Sequence, residues 1–138
     1  MKTTLNAIRK HGHCANGWSK LLASLGKTGP DDDPLSILTI LESNGLDDAL
    51  WALRAVEGHD REIRLFAVWC ARQVQHLMTD KRSLEALDVA ERFASGNATQ
   101  AKLSAARYAA WYAAWYAAGE AARDAQKEEL IEICEACQ

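Results

Sequence analysis

The chain has 138 residues, is 49% hydrophobic and 25% charged, and carries a formal net charge of −3. That length suits one domain able to bury roughly two-thirds of its unfolded surface, which excludes an intrinsically disordered chain and a disulfide-dependent miniprotein. Residues 1–30 carry five Lys/Arg and no acids, residues 31–62 nine acids against Arg54 and Arg61, and residues 120–138 six acids against Arg123 and Lys127. Only the short N-terminal segment is basic, which disfavours direct nucleic-acid binding, while the two acidic zones suit a basic protein partner or plain solvated helix surface.

A short helix is predicted at Leu5–Lys10. Trp18, Leu21, Leu22 and Leu25 recur at helical spacing and mark one face of a second helix, which Gly26 stops. Gly29-Pro30 followed by Asp31, Asp32 and Asp33 reads as a loop. Asp33 and Pro34 supply the cap and first residue of a third helix, apolar nearly all round through Leu35, Ile37, Leu38, Ile40 and Leu41, and ended by Asn44-Gly45. Asp47 and Asp48 fall in the first turn of a fourth, where they complement its dipole. It runs to about Glu57, burying Leu46, Leu50 and Leu53, and Gly58 ends it.

Asp60 caps a longer helix over Arg61–Met78, with Ile63, Phe66, Ala67, Cys70, Val74 and Leu77 on one face and Leu65, Trp69 and His76 on a second. A helix apolar on two sides belongs at the centre of its bundle. Thr79–Arg82 reads as a turn; Ser83 caps a helix carrying Leu84, Leu87, Val89, Ala90 and Phe93, and Gly96 closes it. Asn97 and Gln100 have capping-box spacing. From there only Gly119 interrupts, so one helix of about 40 residues is expected, kinked or split near that glycine. The predicted fold class is all-α: a single helical bundle of about five to seven helices, with no β-sheet and helix in well over half of the residues. It forms one domain over 1–138, with a basic segment and acidic loop at 1–33, a helical core at 34–96 and a long Ala/aromatic-rich helix at 97–138.

Within that last helix, Ala-Ala-Arg-Tyr108, Ala-Ala-Trp-Tyr112 and Ala-Ala-Trp-Tyr116 repeat with period 4, each column drifting about 40° per turn. The Ala columns suit a close helix seam. Trp111 and Trp115 are expected to pack inward. Tyr108, Tyr112 and Tyr116 are expected to stay partly exposed for a partner or a second copy of the chain, with ordinary core packing as the competing reading. A second cluster, Asp47, Asp48, Trp51 and Arg54 followed by His59, Asp60, Arg61, Glu62 and Arg64, alternates in sign about Gly58. It reads first as ion pairs fixing a helix–loop–helix corner, and otherwise as a binding patch around Trp51.

Chemistry-bearing motifs are sparse. Cys70 sits in an apolar helix with no adjacent base, so a buried thiol is expected. His11-Gly-His13-Cys14 and Cys134-Glu-Ala-Cys137 would offer zinc four ligands only if the termini met, and the usual spacing within paired ligands is absent. There is no phosphate loop, nucleophile elbow or His-Glu-x-x-His. No catalytic residue, metal or cofactor is expected. The N-terminal segment lacks the apolar run of a signal peptide, and no stretch approaches the roughly 18 apolar residues of a membrane span, so the expectation is a cytoplasmic protein with free thiols.

The run Pro34-Leu-Ser-Ile-Leu-Thr-Ile-Leu-Glu-Ser-Asn-Gly-Leu-Asp-Asp-Ala-Leu-Trp51, continuing through Arg54-Ala-Val and His59-Asp-Arg-Glu-Ile-Arg-Leu-Phe-Ala-Val-Trp-Cys-Ala-Arg-Gln-Val-Gln-His76, resembles the immunity proteins of bacterial polymorphic-toxin systems, found also in phage and prophage contexts. The Leu84–Arg92 helix and the Ala/Trp-rich repeat extend the resemblance over residues 14–125. The resemblance implies a non-catalytic inhibitor that neutralises a cognate toxin, and it supplies no catalytic residue. Candidate partner contacts are Asp47, Asp48, Trp51, Arg54, His59, Arg61, Arg64, Tyr108, Tyr112 and Tyr116. The alternatives are a phage-encoded inhibitor of a host defence complex, such as an anti-CRISPR protein, and a homo-oligomeric helical scaffold, for instance a homodimer. A zinc-dependent enzyme comes last.

Overall fold

Helices dominate the structure, but its first and fourth elements are strands. The computed structural model describes residues 1–77, 81–96 and 120–137. The chain divides into two compact units, one comprising Met1–His59 with Ile131–Gln138 and the other Asp60–Leu130.

In the first unit, strand β1 (Lys2–Thr3) pairs antiparallel with β2 (Leu35–Ser36), Lys2 opposite Ser36 and Thr3 opposite Leu35. This overturns the expectation of no β-sheet. Two residues are too few to display an alternation, and the pairing is set by contacts far apart in sequence rather than by local pattern. The strand also delays the following helix. Helix α3 (Ile37–Asn44) begins not at Pro34 but behind Ser36, whose Oγ accepts the Leu38 N–H at 3.2 Å. Ahead of it, α1 (Leu5–Lys10) is capped by Thr4, which accepts the Ala7 N–H at 3.0 Å. Helix α2 (Ala15–Leu25) is capped by the Cys14 sulfur and stopped by Gly26 in the left-handed region at φ 64°.

Helix α4 (Leu46–Ala52) follows Gly45 and passes into a 3₁₀ turn at Leu53–Ala55, short of the expected end at Glu57. It buries Ala49 and Ala52, with Leu53 just beyond, and leaves Leu46 and Leu50 half-buried. Small residues on the inner face let α4 lie close against α3, which buries Ile37, Ile40 and Leu41. The N-terminal segment fills the rest of this core with Met1, Leu5 and Ile8. Its polar groups are spent on the same neighbours. The Met1 carbonyl accepts the Ile37 N–H at 3.2 Å, the Thr3 hydroxyl donates to the Ala55 carbonyl at 2.6 Å, and the Met1 ammonium donates to the Cys134 carbonyl at 3.1 Å.

In the second unit, α5 (Asp60–Gln73) packs on α6 (Lys81–Ala94), with a 3₁₀ turn at Gln75–Leu77 after α5. α5 buries Phe66, Val68, Cys70 and Ala71, whereas Ala67 is exposed and Ile63 half-buried. The expected face is thus buried at Phe66, Cys70 and Val74, with Val68 and Ala71 covered in place of Ala67. α6 starts two residues before the expected cap Ser83 and buries Ala86, Leu87 and Ala94. Arg72 joins the pair, its Nη2 donating to Asp88 at 2.6 Å and Glu91 at 2.8 Å. Helix α7 (Glu120–Ala136) buries Gln126, Leu130 and Cys134, spaced by four along one stripe. The tetrad repeat and Gly119 lie outside the described residues, so the expected helix at 97–138 is seen only from Glu120 onward.

Candidate functional site

The expected cluster around Gly58 splits between the two units. In the first, Gly45 at φ 95° starts α4 and places Asp47, exposed, and Asp48, half-buried, in its first turn. Asp48 is drawn inward by Asn44, whose Nδ2 donates to its carboxylate at 2.7 Å and to the Gly17 carbonyl at 2.8 Å. This close approach needs glycine on α2. A Cβ at Gly17 would stand 2.5 Å from Asp48 Oδ2 and 3.0 Å from Cys14 Sγ. One turn along α4, Trp51 is half-buried, and the exposed Arg54 lies over its ring at 4.7 Å while its Nε donates to the Trp51 carbonyl at 2.9 Å. Arg54 is thus spent on Trp51 rather than on a corner acid. His59, half-buried, ends this unit's N-terminal stretch.

Arg61 and Arg64 serve the second unit. Arg61 Nε donates to the carbonyl of Ala94, the last residue of α6, at 3.1 Å, and its guanidinium stands 3.7 Å from Glu62. A cation at a helix C-terminus meets an unpaired carbonyl and the negative end of the dipole. Arg64 covers the Phe93 ring at 4.9 Å and lies 3.7 Å from Asp60. Both arginines therefore fasten α5 to α6, and of the sequence candidates the half-buried Trp51 and the exposed Arg54 are brought together, with Asp47 exposed at the start of α4. Tyr108, Tyr112 and Tyr116 lie outside the described residues.

Sequence reasoning missed a neighbouring aromatic pair. His13 stacks on Trp18 with ring centroids 4.1 Å apart and planes 12° from parallel, and both are half-buried. Five residues is not a helical face spacing. The pair meets because the Cys14 cap turns the chain back over the first turn of α2, which only the capping geometry could have signalled. Also unanticipated is Lys27, which bridges the carboxylates of Asp31 and Asp33. Its hydrogen bond with Asp31 holds the Lys27 pKa above, and the Asp31 pKa below, the ordinary values.

The thiols differ sharply. Cys14 is exposed and accepts the Gly17 N–H at 3.3 Å. Burial, reinforced by Glu129, pushes the Cys70 pKa up to about 12, and burial also raises that of Cys134. Neither environment favours a thiolate nucleophile. Among the described residues, no group of three His, Cys, Asp or Glu side chains is placed to hold a metal ion. Again among the described residues, no helix is long and apolar enough to cross a membrane. Surface depressions of about 410 Å³, beside Asn6, Arg9, Lys10 and Asp32, and about 390 Å³, beside Asp88, Glu91 and Arg92, are lined by polar side chains. Comparison with known protein families, curated proteins and solved structures finds no match to the chain.

Proposed function

We propose that the protein is a non-catalytic inhibitor that binds another protein and occludes its working surface, in the manner of an immunity protein acting on a cognate toxin. The observation that carries this reading is the pair formed by Trp51 of α4 and Arg54 of the 3₁₀ turn that follows it. A half-buried indole is held in place by an exposed guanidinium stacked on its face, with Asp47 exposed on the same helix. Trp and Arg are the residue types that most often dominate interface energies, and a side chain already fixed by its neighbour loses less freedom on binding. The exposed acids Glu42, Asp47 and Glu57 favour a basic partner over a nucleic acid.

The test is affinity capture from the native host with mass-spectrometric identification, followed by titration of the captured protein against variants. Trp51→Ala is expected to weaken binding by ~2 kcal/mol, about thirtyfold, and Arg54→Ala by ~1 kcal/mol. Arg54→Ala should leave the unfolding midpoint within ~0.5 kcal/mol of the parent, because its partners are the neighbouring ring and carbonyl rather than a buried acid. Parental affinity in both variants would refute the assignment of this surface.

A further inference from the structure

Three consecutive acids after α2 would ordinarily be a loose, self-repelling loop. Here they are fixed and sorted. Lys27 takes the carboxylates of Asp31 and Asp33, the Asp33 N–H donates to Asp31 Oδ1 at 3.2 Å, and the Asn6 N–H donates to the Asp31 carbonyl at 3.0 Å, pinning the loop to α1. Asp32 is the carboxylate left over. It is exposed and lines a depression of about 410 Å³ with Asn6, Arg9 and Lys10. Among the described residues, neither Arg9, Lys10 nor Asp32 is engaged in a side-chain ion pair. Two cations and a carboxylate thus line one depression, with the carboxylate on a clamped loop. The dipole of α1 accounts for two cations in its last turn; it does not account for Asp32 beside them.

A simple anion drawn to Arg9 and Lys10 meets Asp32 as well, and a simple cation meets the reverse. A group carrying both charges a few bonds apart meets a complement for each. We propose that this depression binds a small zwitterion, its phosphate or carboxylate on Arg9 and Lys10 and its ammonium on Asp32, with the Asn6 amide hydrogen-bonding beside them. The volume lies in the usual range for small-molecule sites, roughly 300–1,000 Å³. The proposal is independent of the partner-binding surface on α4.

The test is an amide chemical-shift titration of the full chain by NMR. Phosphoethanolamine and β-alanine are the zwitterionic probes, which separate a phosphate from a carboxylate anion; inorganic phosphate and ethylamine supply each half alone. Saturable shifts at Asn6, Arg9, Lys10 and Asp32 are expected with at least one zwitterion, and weaker binding of inorganic phosphate. Asp32→Asn should remove the advantage of the zwitterion over phosphate, about fivefold for one exposed pair. Arg9→Ala combined with Lys10→Ala should abolish binding of both. The substituted side chains are exposed, so the remaining amide peaks report an intact fold. Non-saturable shifts, shifts elsewhere on the surface, phosphate binding as tightly as the zwitterion, or an Asp32→Asn variant that keeps the preference would each overturn the proposal.

Discussion

Replacing Thr3 by valine isolates one buried hydrogen bond. Thr3 is 6% exposed, and its hydroxyl donates to the Ala55 carbonyl at 2.6 Å, at the short end of O–H···O distances. Valine keeps the branched shape but leaves that carbonyl without this donor, which costs about 1–2 kcal/mol. Thr3→Ser keeps the hydroxyl and removes one methyl, about 0.8 kcal/mol. Thr3→Ala removes both, for about 2–3 kcal/mol on the same two principles. With a urea dependence of roughly 2 kcal/mol per molar, the valine midpoint should fall by about 0.5–1 M. Urea titrations followed by far-UV circular dichroism should rank the midpoints as parent, serine, valine, alanine. A valine variant at or above the parental midpoint would refute the claim that β1 is held to the 3₁₀ turn by this bond.

Arg72→Ala should lower stability by about 1 kcal/mol, because its partners Asp88 and Glu91 are half solvated and each pair is worth little alone. The loss should shrink in about 1 M salt; a loss unchanged by salt would assign the contribution to packing of the arginine stem instead. A thiol reagent should modify Cys14 rapidly and reach Cys70 and Cys134 only on unfolding; rapid labelling of Cys70 in the folded protein would contradict its burial. The Cys70 pKa is raised on folding, so above the ordinary thiol value of 9.0 the unfolded chain gives up a proton that the folded one keeps until about 12. Stability should therefore be full below that window and fall as the pH climbs through it, and Cys70→Ala should make the fall shallower in alkaline unfolding titrations.

Local signals located most helices and several of their ends. Gly26 stops α2 and Asn44-Gly45 ends α3, because glycine enters the left-handed region without a Cβ clash. The starts were harder. Asp33-Pro34 has the chemistry of a helix start, yet Leu35 and Ser36 are claimed by a strand from the other end of the unit, and Ser36 caps instead. On α5, Phe66 and Cys70 are buried as expected, but Ala67 and Ala71 are alike by hydrophobicity, so local pattern does not say which of the two is covered. At the candidate surface, the sequence places Trp51 and Arg54 in one charged cluster but does not reveal the guanidinium stacked on the indole. The roles of Arg61 and Arg64 were not legible, since the α6 carbonyl and the Phe93 ring they meet lie about thirty positions downstream. Charge alternation along a sequence says that pairs can form, not which element supplies the partner.

The bond between the Met1 ammonium and the Cys134 carbonyl spans 133 positions, and it has a consequence for how the chain leaves the ribosome. Residues 60–130 emerge as one stretch and hold all of the second unit, so nothing made later is needed to complete it. The other unit is interrupted. Met1, Leu5 and Ile8 are made long before the segment from Ile131 that belongs to the same unit. Because translation adds roughly 5–20 residues per second, the Met1 ammonium waits several seconds for the Cys134 carbonyl. A chain cut short before Ile131 should therefore be cleaved by protease near Met1 faster than the whole chain is.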